Sequence, residues 1–323
     1  MSFSKVVLAA PKEYDAVQDE IQRQLEQMNI SVIRLSEGPD VEQIRKAASA
    51  VSCKEADGAV AISCTGLEGM LLANKFCGVR ASLVTSSTTA MYTRCHNASN
   101  FLALGAGTIG PEKIMGIVNS WLTHEFIGGR HSISVGMITD GETCQFADPH
   151  PSSRPTARIR TTYPFKKIIV ANDHAGFEAK HTVLQVLKER GIATEDLGTD
   201  STEIVRYPYY AARVAHAVLE GRADGGILLC GTGIGMSISV NKFKGIHAAL
   251  CTDTFTAQQA RQKFDANVLC VGGKIVGAFE LEELLKKWLD TPYPDSENAF
   301  MKELWNTECS NLVETHWKPI HNI

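Results

Sequence analysis

Apolar residues come in short unbroken runs along this chain, with little strict alternation. "KVVLAA" (5–10), "ADGAVAIS" (56–63), "KKIIVAN" (166–172), "ADGGILLC" (223–230), "IHAALCT" (246–252) and "ANVLCVGG" (266–273) are each the length of a strand and too short for a helix. Between them the spacing becomes helical. In "FEAKHTVLQVLKERG" (177–191) apolar positions recur every three or four residues, and Gly191 stands where a helix C-terminus favours a left-handed residue. Strands apolar throughout, alternating with helices, predict an α/β fold with a doubly wound parallel sheet covered on both faces. Ligands bind such sheets outside the carboxyl ends of the strands. Two stretches follow strands in that way, "NDHAG" (172–176) and "CGTGIG" (230–235).

The pattern occurs twice. Asn74-Lys75-Phe76 returns as Asn241-Lys242-Phe243, an offset of 167 that also relates Thr65 to Thr232, Gly66 to Gly233, Arg94 to Arg261, Asn100 to Asn267 and Trp121 to Trp288. The chain therefore reads as an internal duplication, with two tandem Rossmann-like domains at about 1–145 and 166–323. The segment 146–165, rich in Pro, Ser, Thr and Arg, reads as a linker.

Length agrees, since 323 residues suit two domains. With 44% hydrophobic and 21% charged residues and a formal net charge of -4, the composition is that of an ordinary globular protein without the cationic balance of a nucleic-acid binder. No apolar run approaches the roughly 18 residues of a membrane span, and the N-terminal apolar segment is too short for a secretory signal, so no membrane partner and a cytoplasmic location are expected. Nine scattered cysteines, with no Cys-x-x-Cys spacing, are expected to be reduced thiols, and no structural metal is expected.

"LLCGTGIGMSISVNK" (228–242) carries the candidate chemistry. Its glycines could simply permit a tight turn. It is also a poor dinucleotide fingerprint, because that motif belongs to the first strand–helix turn, which here is "ANDHAG"; no cofactor is expected. The functional alternative is a cup of backbone N–H groups for a phosphate or a developing oxyanion. Cys230, at the end of its strand, would then have a lowered pKa and act as a thiolate base. A base beside an anion cup suits proton abstraction next to a carbonyl.

"CGTGIGMSISVNK", "ANDHAG" and "RYPYYA" together resemble the ribose-5-phosphate isomerase B and galactose-6-phosphate isomerase family. The N-terminal copy, with "MYTRCHNASN" and "GGRHS", is similar to the A subunit of galactose-6-phosphate isomerase, and the C-terminal copy, with "FDANVLCVGGKIVG", is similar to the B subunit. The chain thus resembles a fusion of two subunits. The resemblance implies an aldose–ketose isomerase that works on a phosphorylated sugar through an enediol, without a metal. It implies Cys230 as base, and Thr232 with the N–H groups of Gly233, Ile234 and Gly235, next to Gly231, as the anion cup. Asp173 and His174 would meet sugar oxygens, and Tyr207 would line the pocket. From the first copy, His96 would open the ring, Asn97 would touch the sugar, and Arg130, flanked by His131, would bind phosphate. A homodimer of fused chains is the expected assembly.

Each copy lacks what the other keeps. Lys263, Phe264 and Glu297 stand where the first copy has His96, Asn97 and Arg130, whereas Ser63 and Glu68 replace Cys230 and Gly235. One working site per chain is expected; Cys64, beside Ser63, is the only candidate for a displaced second base. The family's second phosphate arginine corresponds to Ser134, with Arg206, Arg158 or Arg160 as substitutes. A hexose phosphate such as galactose 6-phosphate is the favoured substrate, with ribose 5-phosphate or another short aldose phosphate as the alternative. A regulator that binds sugar phosphates without turnover is a third reading, which a retained base argues against.

Overall fold

The computed structural model describes residues 3–142, 161–294 and 298–310. It divides into two units, Met1–Val135 and Gly136–Ile323. The division falls inside one helix, so residues 136–142 belong with the second unit.

The first unit carries β1 (Lys5–Ala9), β2 (Ser31–Leu35), β3 (Gly58–Ser63), β4 (Ala81–Leu83) and β5 (Phe101–Gly105). They form one sheet in the order β2-β1-β3-β5-β4, parallel throughout. Between them run α1 (Asp15–Gln27), α2 (Asp40–Ser52), α3 (Leu67–Ala73) and α4 (Ser87–Asn97), followed by α5 (Pro111–Thr123) and α6 (Arg130–Glu142). The second unit repeats this with β6 (Lys167–Asn172), β7 (Ala193–Asp196), β8 (Gly225–Cys230), β9 (Ala248–Leu250) and β10 (Val268–Gly272), in the order β7-β6-β8-β10-β9. Its helices are α7 (Phe177–Glu189), α8 (Tyr207–Leu219), α9 (Ile234–Val240), α10 (Thr254–Phe264), α11 (Ala278–Asp290) and α12 (Ala299–Ser310).

The apolar runs account for four strands of the second copy, and by the repeat for four of the first; the structure has five in each. The additional ones, β2 and β7, are edge strands with no buried position between them, so neither reads as an apolar run. The central strands behave as expected, with β3, β5, β8 and β10 buried along their whole length.

The repeated residues prove to be braces within each copy. Asn241 Nδ2 donates to Ser237 O (3.0 Å) and Ala248 O (2.8 Å), while its Oδ1 accepts from Ala248 N–H (2.9 Å), clamping α9 to β9; Asn74 makes the matching bonds in the first unit. Lys242, fully buried, forms an ion pair with the buried Glu142. Arg94 lies over Phe3 and Trp121, and Arg261 over Phe165 and Trp288. The order turns around at β1/β3 and at β6/β8, where the chain crosses to opposite sides of its first strand. A crevice is expected at the carboxyl end of such a pair.

Candidate active site

In the second unit, β6 runs out into Asn172-Asp173-His174 and the adjacent β8 ends at Cys230, so the turn-around of the sheet brings "NDHAG" and "CGTGIG" together. Asp173 N–H donates to Leu229 O (3.0 Å), which ties the two strand ends. The glycine loop then closes on itself. Gly233 adopts a φ of +76°, and a Cβ there would stand 2.4 Å from Leu250 Cδ1. Its N–H donates to Cys230 Sγ at 3.1 Å, and Ile234 N–H donates to Thr232 Oγ1 at 3.3 Å. Gly231 rests against Ala175 and Lys274 with room for a side chain, whereas a Cβ on Gly235 would lie 3.0 Å from the Tyr207 ring. The missing methyl at Gly235 is what lets that ring lie on the loop.

The expectation of a lowered Cys230 pKa is corrected by its environment. The thiol is 4% exposed, and burial pushes its pKa up to about 12, with the neighbouring Asp173 carboxyl adding to the rise. Backbone N–H groups of Met236, Thr232 and Gly233 pull the other way and are outweighed. The loop's N–H groups therefore surround the sulfur, and the resting residue is a thiol. Asp173 is itself pushed up to about 7 by burial, against the Ala175 and Gly176 N–H groups that its Oδ1 accepts and the charge of Lys274.

Lys274 is not singled out by sequence. It sits at the carboxyl end of β10, its N–H donates to Gly231 O (3.0 Å), and its charge acts on Asp173. The signal lies in the register between copies, which pairs Lys274 with Gly107. His174 Nδ1 accepts from Val205 N–H at 3.3 Å. Arg206 is the N-cap of α8, next to Tyr207, and is half-buried.

In the first unit, α4 presents His96 and Asn97 at its C-terminus, and Ile127 N–H donates to Cys95 O (3.1 Å), holding the start of α6 against it. The His96 and His131 rings stack at 4.1 Å and 5°, with Tyr92 on His96 at 5.2 Å, and Arg130 Nε donates to His131 Nε2 at 3.5 Å. Burial, then the Arg130 charge, holds His96 below the ordinary histidine range. A neutral imidazole results, able to accept a hydroxyl proton. Asn97 and Ser134 are buried, and Arg130 is exposed.

The first unit's own glycine loop has the same shape with other contents. Gly66 N–H donates to Ser63 Oγ (2.9 Å), as Gly233 does to Cys230, but Ser63 and Thr65 both donate to Glu68 Oε2, at 2.6 and 2.9 Å. A carboxylate of the chain occupies the loop. Asp40, which opens α2 as Tyr207 opens α8, is held above its ordinary pKa by burial, then by Glu13 and Glu68. That mouth is acidic. Arg158, Arg160, Glu297 and linker residues 146–160 lie outside the described residues. The seven cysteines whose side chains are described are free thiols. Among the described residues no helix is long and apolar enough to cross a membrane, and no group of three His, Cys, Asp or Glu side chains could hold a metal ion.

The family described as ribose/galactose isomerase matches this sequence twice, over residues 6–138 and 168–302. The chain belongs to the ribose/galactose isomerase family. As a member with two matched copies it is an aldose–ketose isomerase, built as a tandem duplication. Ribose-5-phosphate isomerase B of Escherichia coli is 47% identical over 128 residues, 40% of this chain and 86% of that protein. D-erythrulose-4-phosphate isomerase of Pectobacterium atrosepticum is 39% identical over 133 residues, 41% of this chain and 88% of that protein. The solved ribose 5-phosphate isomerase of Thermotoga maritima is 42% identical and covers 44% of this chain and 97% of its own, with a TM-score of 0.42.

Proposed function

We propose that the chain interconverts an aldose phosphate and its ketose, ribose 5-phosphate and ribulose 5-phosphate in the first instance, with Cys230 as the proton-transferring base. The observation that carries this reading is the thiol enclosed by loop N–H groups beside Asp173, at the point where the strand order turns around. The relatives act, by name, on ribose 5-phosphate and erythrulose 4-phosphate, which favours a short sugar over the hexose phosphate expected from the A-plus-B character.

The chemistry follows from the two titratable groups. Cys230 takes the C2 proton of the open-chain aldose, and the C–H electron pair forms the C1–C2 double bond as the carbonyl π pair moves onto O1. The thiol then returns a proton to C1 while the O2 hydroxyl proton passes to O1 and the ketose carbonyl forms at C2. The thiol proton exchanges with solvent in a fraction of turnovers. A thiolate and a carboxylate this close oppose one another, so Asp173, with its pKa near neutrality, is protonated or hydrogen-bonded to a sugar hydroxyl when Cys230 ionises. Thr232 and the N–H groups of Gly233 to Gly235 share the charge that develops on oxygen. His174 and Tyr207 hold the sugar, and Lys274, with Arg206, supplies positive charge. We assign ring opening to His96, a sugar contact to Asn97 and phosphate to Arg130 with His131. Mixing a His96→Ala chain with a Cys230→Ala chain tests whether these residues act in cis or in trans, by the activity recovered. Two fused chains forming a homodimer is the assembly we infer, checked by sedimentation equilibrium.

The test is solvent exchange. With ribose 5-phosphate in D2O the wild type places deuterium at C1 of the ketose and, through the reverse reaction, at C2 of the aldose, read by NMR, and Cys230→Ala abolishes this while binding is retained. Exchange that survives Cys230→Ala removes Cys230 as base. A kcat/KM series over pentose and hexose phosphates ranks the substrates, and a preference for galactose 6-phosphate would reverse the choice of sugar.

A further inference from the structure

The two units differ in one connection beside the site. Between β7 and α8 the second unit has residues 197–206, where the first has only 36–39 between β2 and α2. The longer segment leads into Arg206 and Tyr207, and its Val205 N–H holds His174 (3.3 Å). Its start is tied down by one cation. Lys180, on α7, has a side chain only 2% exposed, and its Nζ donates to Thr199 O (2.9 Å), Asp200 Oδ1 (2.9 Å) and Asp196 Oδ2 (2.8 Å).

Thr199 O also accepts Asn172 Nδ2 (3.1 Å), which in turn donates to Asp173 O (3.0 Å), so the same carbonyl links the lysine to the strand end that carries Asp173. On the other side Arg213 of α8 donates to Leu197 O (2.7 Å). A buried ammonium is costly unless its donors are met, and here three oxygens meet them. Asp200 is 92% exposed and contributes little, which leaves Thr199 O and Asp196 as the main anchors. In the first unit the fourth residue of α1 is the buried Gln18, the counterpart of Lys180, and its amide reaches Leu35 O at 3.5 Å. The short connection there has no residues to match Thr199 and Asp200.

We propose that Lys180 is a positioning residue that fixes segment 197–206 against the Asp173–His174 turn, so that His174 and Tyr207 form a preformed wall which sets the length of sugar phosphate accepted. This rests on the isomerase reading given above. Pre-organisation of such a wall acts on ground-state binding, which separates it from a plain structural role.

The test uses the full chain with Lys180→Gln, a side chain already tolerated at the matching position of the first unit. Hydrogen exchange at residues 198–205 is expected to speed up at least about tenfold while β6 and β8 keep their protection. KM for ribose 5-phosphate is expected to rise about tenfold with kcat within about twofold, and discrimination against galactose 6-phosphate to narrow. Unchanged protection at 198–205 refutes the anchor, and faster exchange with KM unmoved refutes the wall. Should Lys180→Gln lose β6 and β8 protection as well, Asp196→Asn, which weakens one of the two main anchors from an edge strand, decides: faster exchange at 198–205 with KM up about two- to threefold supports the proposal, and no change in KM or exchange overturns it. A wild type that turns over neither sugar refutes the isomerase reading alone, since the exchange measurement still decides the anchor.

Discussion

Asp173→Asn gives a direct reading of what burial does at this site. The carboxyl is 4% exposed, and its Oδ1 accepts N–H groups from Ala175 (2.8 Å) and Gly176 (3.1 Å), which an asparagine oxygen can still accept. In the folded protein Asp173 titrates at about 7, against an ordinary 3.8. The raised value means that the folded state holds the proton more tightly than the unfolded chain. Below about pH 4 both states are protonated and the group makes no difference. As pH rises from there to about 7 the unfolded chain gains by ionising while the folded one does not, and at 1.36 kcal/mol per tenfold this removes up to about 4 kcal/mol from the second unit. Asparagine cannot ionise, so the variant keeps that stability. At pH 8 Asp173→Asn is expected to be more stable than wild type by as much as about 4 kcal/mol, and at pH 4 nearly equal. The assay is hydrogen exchange of the β6 and β8 amides at both pH values, which reports opening of this unit alone. An equal difference at pH 4 and pH 8, or none at pH 8, refutes the reasoning.

Gly235→Ala places a methyl about 3.0 Å from three atoms of the Tyr207 ring, so the ring must shift; kcat/KM is expected to fall about tenfold, with the circular dichroism unchanged. Ser63→Ala removes a hydroxyl that accepts Gly66 N–H and donates to Glu68, so urea denaturation should show a loss of about 1 kcal/mol in the first unit while turnover stays within about twofold. A large loss of turnover there would mean that the first unit's loop has a catalytic part. Cys230 is a thiol in the resting protein, so its thiolate absorbance near neutral pH should be absent, and it should rise in Asp173→Asn at a lower pH than in wild type.

The sequence by itself determined the duplication, the α/β class and the two loops that meet at the carboxyl ends of the strands. Those features are written in apolar runs, glycines and a fixed offset, all of which are local or periodic. Asp173 and Tyr207, the latter opening a helix, are singled out only by the family resemblance, whereas the place of Cys230 at the end of an apolar run points to it from the sequence alone. The edge strands β2 and β7 are not legible in it, since half-exposed strands lack the apolar signature. The state of the thiol is not legible either. A cysteine followed by a glycine loop suggests a lowered pKa, and only the depth of burial and the nearness of Asp173, from another strand, reverse the sign. Glu68 reads along the chain as a charge that closes the first copy's loop to anions, and only the fold shows the two hydroxyls that donate to it. Lys180 reads as one polar position in an amphipathic helix, and only packing shows its side chain enclosed and bonded to a segment about twenty residues away in sequence. Desolvation and long-range pairing depend on what surrounds a group in space, and that is the part of this site the tertiary structure decided.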